Sequence, residues 1–210
     1  MAGEITFYTN PMSRGRIVRW MLEEIGEPYR TEILDYGTTM KSPRYLAINP
    51  MGKVPAVAHR GVVVTEAAAI CAYLADAFPA KRLAPAPAVP ERGTYYRWMF
   101  FAAGPVEAAV TNKSFGFVVP AGSERRAGYG DYAHVMDALE HALSNGDFIL
   151  GKDFSAADVY VGAHIGWGMQ FGSVEKRPVF ERYWKCLAER PAAIRAKQID
   201  DALMPKQASS

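Results

Sequence analysis

The chain changes character once, near Pro79, and that change limits the folds open to it. Upstream, short alternating segments interleave with segments of helical period. Downstream, every periodic segment is helical. The stretch 79–90 carries four prolines among alanines, the composition of a linker. A chain of 210 residues holds one large domain or two small ones. The linker favours two: an α/β unit over residues 1–78, the linker 79–90, and an all-helical unit over 91–210.

Within the first unit, residues 4–9 read as a strand and Asn10-Pro11-Met12 as a turn. Ser13 is placed to cap a helix over 14–25 that Gly26 ends. A second strand spans 29–34, and Ser42-Pro43 opens a short helix to Ile48, with proline in its permitted first turn. Residues 54–58 and 62–64 form a hairpin about Arg60-Gly61, and residues 66–78 form a helix. The order is βαβ followed by αββα. Beyond the linker, a helix over 91–118 is expected to kink at Gly104-Pro105. Further helices are expected over 124–144, 155–171, 179–189 and from Arg190-Pro191 to Ala202, with a frayed polar tail over 205–210. Ser155 and Asp158 make a capping box with Phe154 as its staple. Gly162, Gly166, Gly168 and Gly172 are costly inside a helix; close helix packing or room for a ligand would explain them equally.

Composition excludes several classes of function. A formal charge of +2 with no basic run gives no reason to expect nucleic acid. No apolar run has the roughly 18 residues of a membrane span. The opening residues lack the basic and apolar regions of a secretory signal, which points to the cytoplasm. Cys71 and Cys186 form no CxxC and read as two buried thiols in a reducing compartment. His59, His134, His141 and His164 have no ligand spacing, so no metal is expected.

The segments from Met51 to Val57 and from Val64 to Ile70 carry the functional signal. Trans is favoured at a prolyl bond by only about 0.5–1 kcal/mol, so a fold can hold Val54-Pro55 cis. The Val54 backbone would then turn outward and pair with an extended peptide, as an added strand does. Glu66 stands where a helix begins: backbone N–H groups there bind carboxylates, and the acid can hold an amine. The pair suits a small peptide with a free amine and a free carboxylate.

A βαβαββα unit with Val54-Pro55 and Thr65-Glu66, then a proline linker, then a helical unit with Ser155-Ala156-Ala157-Asp158, resembles the cytosolic glutathione transferases. Ser13-Arg14-Gly15-Arg16 and Arg190-Pro191 add to the likeness, which covers essentially the whole chain and is closest to bacterial, serine-type members. The resemblance implies a thioredoxin-like domain and a helical bundle, in a homodimer that binds glutathione and accepts an electrophile in the interdomain cleft. It implies Ser13 as the hydroxyl that activates the thiol, with Arg14 adding positive potential. Tyr8 is the rival, and Thr9 and Asn10 are further donors. Glu66 would take the γ-glutamyl amine, Val54 and Pro55 the peptide backbone, and Lys41 or Lys53 the glycyl carboxylate. Two positions depart from the family pattern: Ala67 replaces its usual serine, and Met40 its usual polar residue. The N–H groups of Ala67 and Ala68 remain to bind the γ-glutamyl carboxylate. Phe101, Pro105, Phe115, Trp167 and Met169 are candidates for the electrophile pocket, although an aromatic row at helical spacing is also how a core looks. The expected activity is conjugation of the glutathione thiolate to small hydrophobic electrophiles. The alternatives are a glutathione-dependent peroxidase or disulfide reductase, and a non-catalytic binder on the same fold.

Overall fold

Alternation decides the first element. β1 (Ile5–Thr9) buries Ile5, Phe7 and Thr9 and leaves Thr6 and Tyr8 half-buried on the opposite face, the two-residue period of a strand. The computed structural model, which describes residues 4–204, pairs β1 in parallel with β2 (Tyr29–Ile33) and antiparallel with β3 (Ala56–His59). β3 pairs with β4 (Val62–Thr65), giving the order β2-β1-β3-β4. Helices α1 (Gly15–Ile25) and α3 (Ala67–Ala77) pack together and bury Ile17, Met21 and Leu22 of one and Ile70, Cys71 and Leu74 of the other. The short α2 (Pro43–Leu46) follows a 3₁₀ turn at Thr39–Lys41, and the Ser42 hydroxyl caps it by accepting from the Tyr45 N–H. Leu34, Met40 and Tyr45 form a small core on which Tyr8, Ile48 and Val54 pack. This is the expected thioredoxin-like unit.

Register gathers the loops of interest. Tyr8 lies opposite Ala56, and Ala56 opposite Thr65, while Thr9 lies opposite Ile33. The chain therefore leaves β1, β2 and β4, and enters β3, at one end of the sheet. α1 and α3 both begin at that end and present their positive termini to it.

Contacts divide the chain into two units: residues through Lys81 together with the chain from Arg190 onward, and Arg82–Glu189. The first boundary lies close to the expected linker. The last helix, expected in the helical unit, instead lies along α1. α9 (Pro191–Ala202) buries Ala192, Ala196 and Asp200, and the small alanines let the two helices approach. Ion pairs Arg190–Glu24 (2.7 Å) and Arg195–Glu23 (3.2 Å) fix the alignment. The tail 205–210 lies outside the described residues.

In the second unit, α4 (Glu91–Phe101) and α5 (Glu107–Phe115) flank a π-helical segment, Ala102–Val106, which contains Pro105; the expected kink is a change of helix type here. α6 (Tyr132–Leu143) is shorter than the expected helix over 124–144. A 3₁₀ turn occupies Glu124–Arg126, Gly130 adopts φ +72°, and Asp131 then caps the new helix through the His134 N–H. α7 (Ala156–Phe171) opens on the expected capping box and is followed by α8 (Pro178–Ala188). The α7 glycines mark close packing. A Cβ on Gly162 would lie 2.3 Å from Leu187 Cδ1, on Gly166 2.4 Å from the Trp184 ring, and on Gly168 2.3 Å from Val174. Gly172 ends the helix with φ +77°. The expectation of two buried thiols holds for Cys71 alone; Cys186 is exposed on α8.

Asp158 is the polar centre of this unit. Its buried carboxylate accepts from the N–H groups of Ile149 (2.7 Å) and Ser155 (2.8 Å), from Ser155 Oγ, and from the Tyr183 hydroxyl (2.9 Å). Burial pushes its pKa up to about 6, with the hydrogen bonds opposing the rise.

Candidate active site

The loop after β1 is held by its asparagine. Asn10 Oδ1 accepts from the Met12 N–H (2.9 Å), while its amide donates to the Leu34 carbonyl (2.8 Å). The same tripeptide, Asn-Pro-Met, recurs at 49–51 and folds the same way. Asn49 Oδ1 accepts from the Met51 N–H (3.1 Å), and its amide donates to the Lys53 carbonyl (2.8 Å). An asparagine that bonds the N–H two residues on forms an Asx turn, and the following proline fixes the backbone of that turn. The repeat is the sequence signal that would have located both turns; they flank the site from β1 and from β3.

Ser13 differs from its expected place by one step. α1 starts at Gly15, with Arg14 as the capping residue and no side-chain cap bond from it. Ser13 still serves the helix start, because its Oγ accepts from the Gly15 N–H (2.9 Å). Its own proton goes to the Asn10 carbonyl (2.7 Å), which also receives the Ser13 N–H (3.1 Å). Gly15 is required here: a Cβ would stand 1.9 Å from Thr9 Oγ1 and 2.9 Å from Ser13 Oγ. Thr9 is thus a buried packing residue against α1. Arg14 is exposed at the helix start.

The Val54-Pro55 bond is cis. Val54 is half-buried and precedes the first paired residue of β3, Ala56. Lys53 is exposed, and its carbonyl is held by the Tyr45 hydroxyl (2.7 Å) and the Asn49 amide. Lys41 Nζ donates to the carbonyls of Gly52 (2.8 Å) and Met51 (3.2 Å), so its ammonium is fixed beside this turn. Met40 is a core residue, which accounts for the absence of a polar side chain there.

Glu66 is exposed, precedes α3, and adopts φ 64°, ψ 121°. A non-glycine residue in that region costs of order 1–3 kcal/mol. Its carboxylate makes no capping bond to its own helix, so helix stability does not account for either the strain or the acid. Ala67 is buried at the first position of α3.

Tyr8 packs its ring on Tyr45 (centroids 5.7 Å) and lines a cleft of about 410 Å³ with Leu34, Thr39, Ser42 and Ile48. Of the pocket candidates, Phe101, Pro105, Trp167 and Met169 are half-buried, and Phe115 is 69% exposed at the end of α5. Another cleft of about 410 Å³, between α7 and α8, is lined by Gly166, Met169, Gln170, Trp184 and Lys185 among others. Of the five candidates, only Met169 belongs to it. Among the described residues, no three His, Cys, Asp or Glu side chains group as a metal would need, and no helix is long and apolar enough to cross a membrane.

Register thus brings Ser13, Val54 and Glu66 to one end of one sheet, beside two helix N-termini and the ammonium of Lys41. Such an end can hold a carboxylate on N–H groups, an amine on Glu66 and an extended backbone along Val54. Residues 12–77 match the sequence model of the glutathione S-transferase N-terminal domain. Glutathione S-transferase 3 of Schizosaccharomyces pombe is 25% identical over 207 residues, covering 90% of this chain and 85% of that protein. An elongation factor 1-gamma of Prunus avium is 24% identical, covering 75% of this chain and 39% of its own. The crystal structure of a glutathione transferase from Methylococcus capsulatus superposes with a TM-score of 0.78 at 27% identity, covering 94% of this chain and 99% of that one. A sphingomonad glutathione S-transferase complexed with glutathione gives 0.76 at 27% identity, covering 93% and 98%. Residues 12–77 thus resemble the N-terminal domain of the glutathione S-transferases, and, the elongation factor apart, the relatives and solved structures to which most of the chain is similar are glutathione transferases.

Proposed function

We propose that this chain is a glutathione transferase that joins the glutathione thiolate to small hydrophobic electrophiles. The observation that carries the reading is Glu66: an exposed carboxylate held in a strained backbone at the start of α3 without capping it. Strain of this kind persists where the acid has a task beyond the fold. In this reading Glu66 binds the γ-glutamyl amine and the first N–H groups of α3, at Ala67 and Ala68, bind its carboxylate. Val54 pairs with the cysteinyl backbone across the cis Pro55 bond, and Lys41 and Lys53 supply positive charge for the glycyl carboxylate. The thiol lies toward Ser13, where the hydroxyl, the start of α1 and the Arg14 charge favour the thiolate. The sulfur then attacks the electrophilic carbon: a C–S bond forms, the leaving group departs with its electron pair, and the thiol proton passes to solvent. Phe101, Pro105, Phe115 and Trp167 are the proposed apolar wall. The protein acts as a cytoplasmic homodimer and needs no metal.

A second reading is a binder on the same scaffold that has lost the chemistry. The Ser13 proton is committed to Asn10, and Ala67 brings no hydroxyl, while the likeness to an elongation factor 1-gamma shows that similar sequences occur in proteins with other names. Peroxidase or disulfide-reductase chemistry by bound glutathione is the third. Thiol consumption with an aromatic halide and with cumene hydroperoxide, alongside calorimetry with glutathione, separates them. Turnover of the halide supports conjugation, turnover of the hydroperoxide alone supports the peroxidase, and binding without turnover supports the binder.

A further inference from the structure

Two adjacent aspartates close α9 at a position that disfavours them. A helix C-terminus carries partial negative charge, and the last turn of α9 has no basic residue of its own. Both acids instead meet arginines of α1, with α9 running antiparallel along it from Arg190–Glu24 onward. Asp200 is buried and takes Arg19 Nε at 3.1 Å, while Arg19 also donates to Thr31 Oγ1 (2.8 Å). This pair anchors the two helices.

Asp201 does something different. It accepts from Arg16 Nη1 at 2.8 Å, and the other end of the same guanidinium donates from Nε to the Pro11 carbonyl at 2.5 Å. Pro11 belongs to the turn whose neighbouring carbonyl, that of Asn10, orients the Ser13 hydroxyl. A planar guanidinium with both ends engaged cannot rotate without breaking a bond, so the C-terminal helix holds the turn through a rigid fork. The Arg16 and Asp201 side chains are 22% and 43% exposed, and a pair so placed adds little to global stability. Its effect is on orientation. The second oxygen of Asp201 faces Lys197 (2.5 Å), one helical turn back.

We infer that Asp201 is a positioning residue for the thiol-activating hydroxyl, acting through Arg16 and the Pro11 carbonyl. This rests on the reading of Ser13 given above. With the fork released, the Ser13 hydroxyl samples more orientations and stabilises the thiolate less.

The test uses the full chain saturated with glutathione. Thiolate absorbance is titrated against pH, and kcat and KM are measured with an aromatic halide. Asp201→Asn should raise the bound thiol's pKa by about 0.5–1 unit and lower kcat at neutral pH about 3- to 10-fold. The KM for glutathione should stay within about twofold, because the amine and carboxylate contacts are untouched. Lys197→Ala, which leaves the Arg16 bond in place, should change none of these. Arg16→Lys keeps the charge but reaches one partner only, so it should reproduce the shift if Asp201→Asn folds poorly. In a Ser13→Ala background, Asp201→Asn should add nothing further. A shift with Ser13→Ala but none with Asp201→Asn or Arg16→Lys overturns the positioning role and leaves Ser13 in place. An unmoved thiol pKa in Ser13→Ala overturns the reading of Ser13, and positioning through Ser13 falls with it.

Discussion

Replacing Ser13 by alanine tests the chemistry most directly, and the hydrogen bonds set its size. The Ser13 proton now lies on the Asn10 carbonyl at 2.7 Å, so donation to a sulfur means exchanging one bond for another. The carbonyl is not abandoned, because the Ser13 N–H still reaches it at 3.1 Å. A neutral bond contributes about 0.5–1.5 kcal/mol and one to a charged acceptor about 1.5–3. The exchange therefore favours the thiolate by roughly 1–1.5 kcal/mol, less than the roughly 2.7 kcal/mol that lowering a thiol pKa by two units requires. The start of α1 adds about 0.3–1 kcal/mol through its dipole, since its first N–H groups are already paired: Gly15 to Ser13 Oγ, Arg16 to the Ser13 carbonyl and Ile17 to the Arg14 carbonyl. Ser13→Ala should accordingly lower kcat about 5- to 10-fold and raise the bound thiol's pKa by about 0.7–1 unit. It also orphans the Gly15 N–H, which costs around 1 kcal/mol and a few degrees of melting temperature. Stopped-flow conjugation across pH, paired with thermal unfolding, distinguishes the two effects. If the melting temperature falls while the thiol pKa stays put, and Tyr8→Phe abolishes turnover, Ser13 is only a helix-start residue and Tyr8 is the activating group.

Four further outcomes are expected. Glu66→Gln should weaken glutathione binding by about 1.5–3 kcal/mol in calorimetry with an unchanged melting temperature; Glu66→Gly should weaken it equally yet raise the melting temperature, because glycine adopts φ 64° without penalty. Unchanged affinity in both would remove Glu66 from the site. Ala67→Ser should strengthen binding by roughly 0.5–1.5 kcal/mol, and no gain would mean that backbone N–H groups already satisfy the carboxylate. Gly15→Ala should destabilise by about 1–3 kcal/mol in urea unfolding, since the buried Thr9 side chain stands where the methyl must go; a neutral result would show that Thr9 can move aside. Asp158 has a folded-state pKa near 6, above its unfolded value, so its contribution to stability is complete below about pH 4 and is lost as pH rises through 6. Asp158→Asn should remove about 2 kcal/mol from the stability difference between pH 4 and pH 7, and an unaltered difference would show that the carboxyl titrates normally.

How far the sequence could be read depended on the range of the interactions involved. Strands and helices with a clean period were legible, as were the break in regular α-helix around Pro105 and the capping box at Ser155, because each is decided within a few residues. The helix over 124–144 was overextended because Gly128 and Gly130 interrupt a stretch whose flanks are helical, and two glycines lower a propensity without forbidding it. The assignment of α9 to the helical unit failed for a different reason. Its partner is α1, some 180 residues earlier in the chain, and the buried Arg19–Asp200 pair that joins them leaves no local pattern. The same holds within the site. In the candidate site, the prolyl bond at Val54-Pro55 and an acid at a helix start were legible from residue type, whereas the committed proton of Ser13, the lysine fixed on the Gly52 carbonyl and the fork of Arg16 are tertiary facts. Those are the facts that decide reactivity. A hydroxyl in the right loop activates a thiol only if its present acceptor can be given up, and here the second donor on the Asn10 carbonyl makes the exchange cheap.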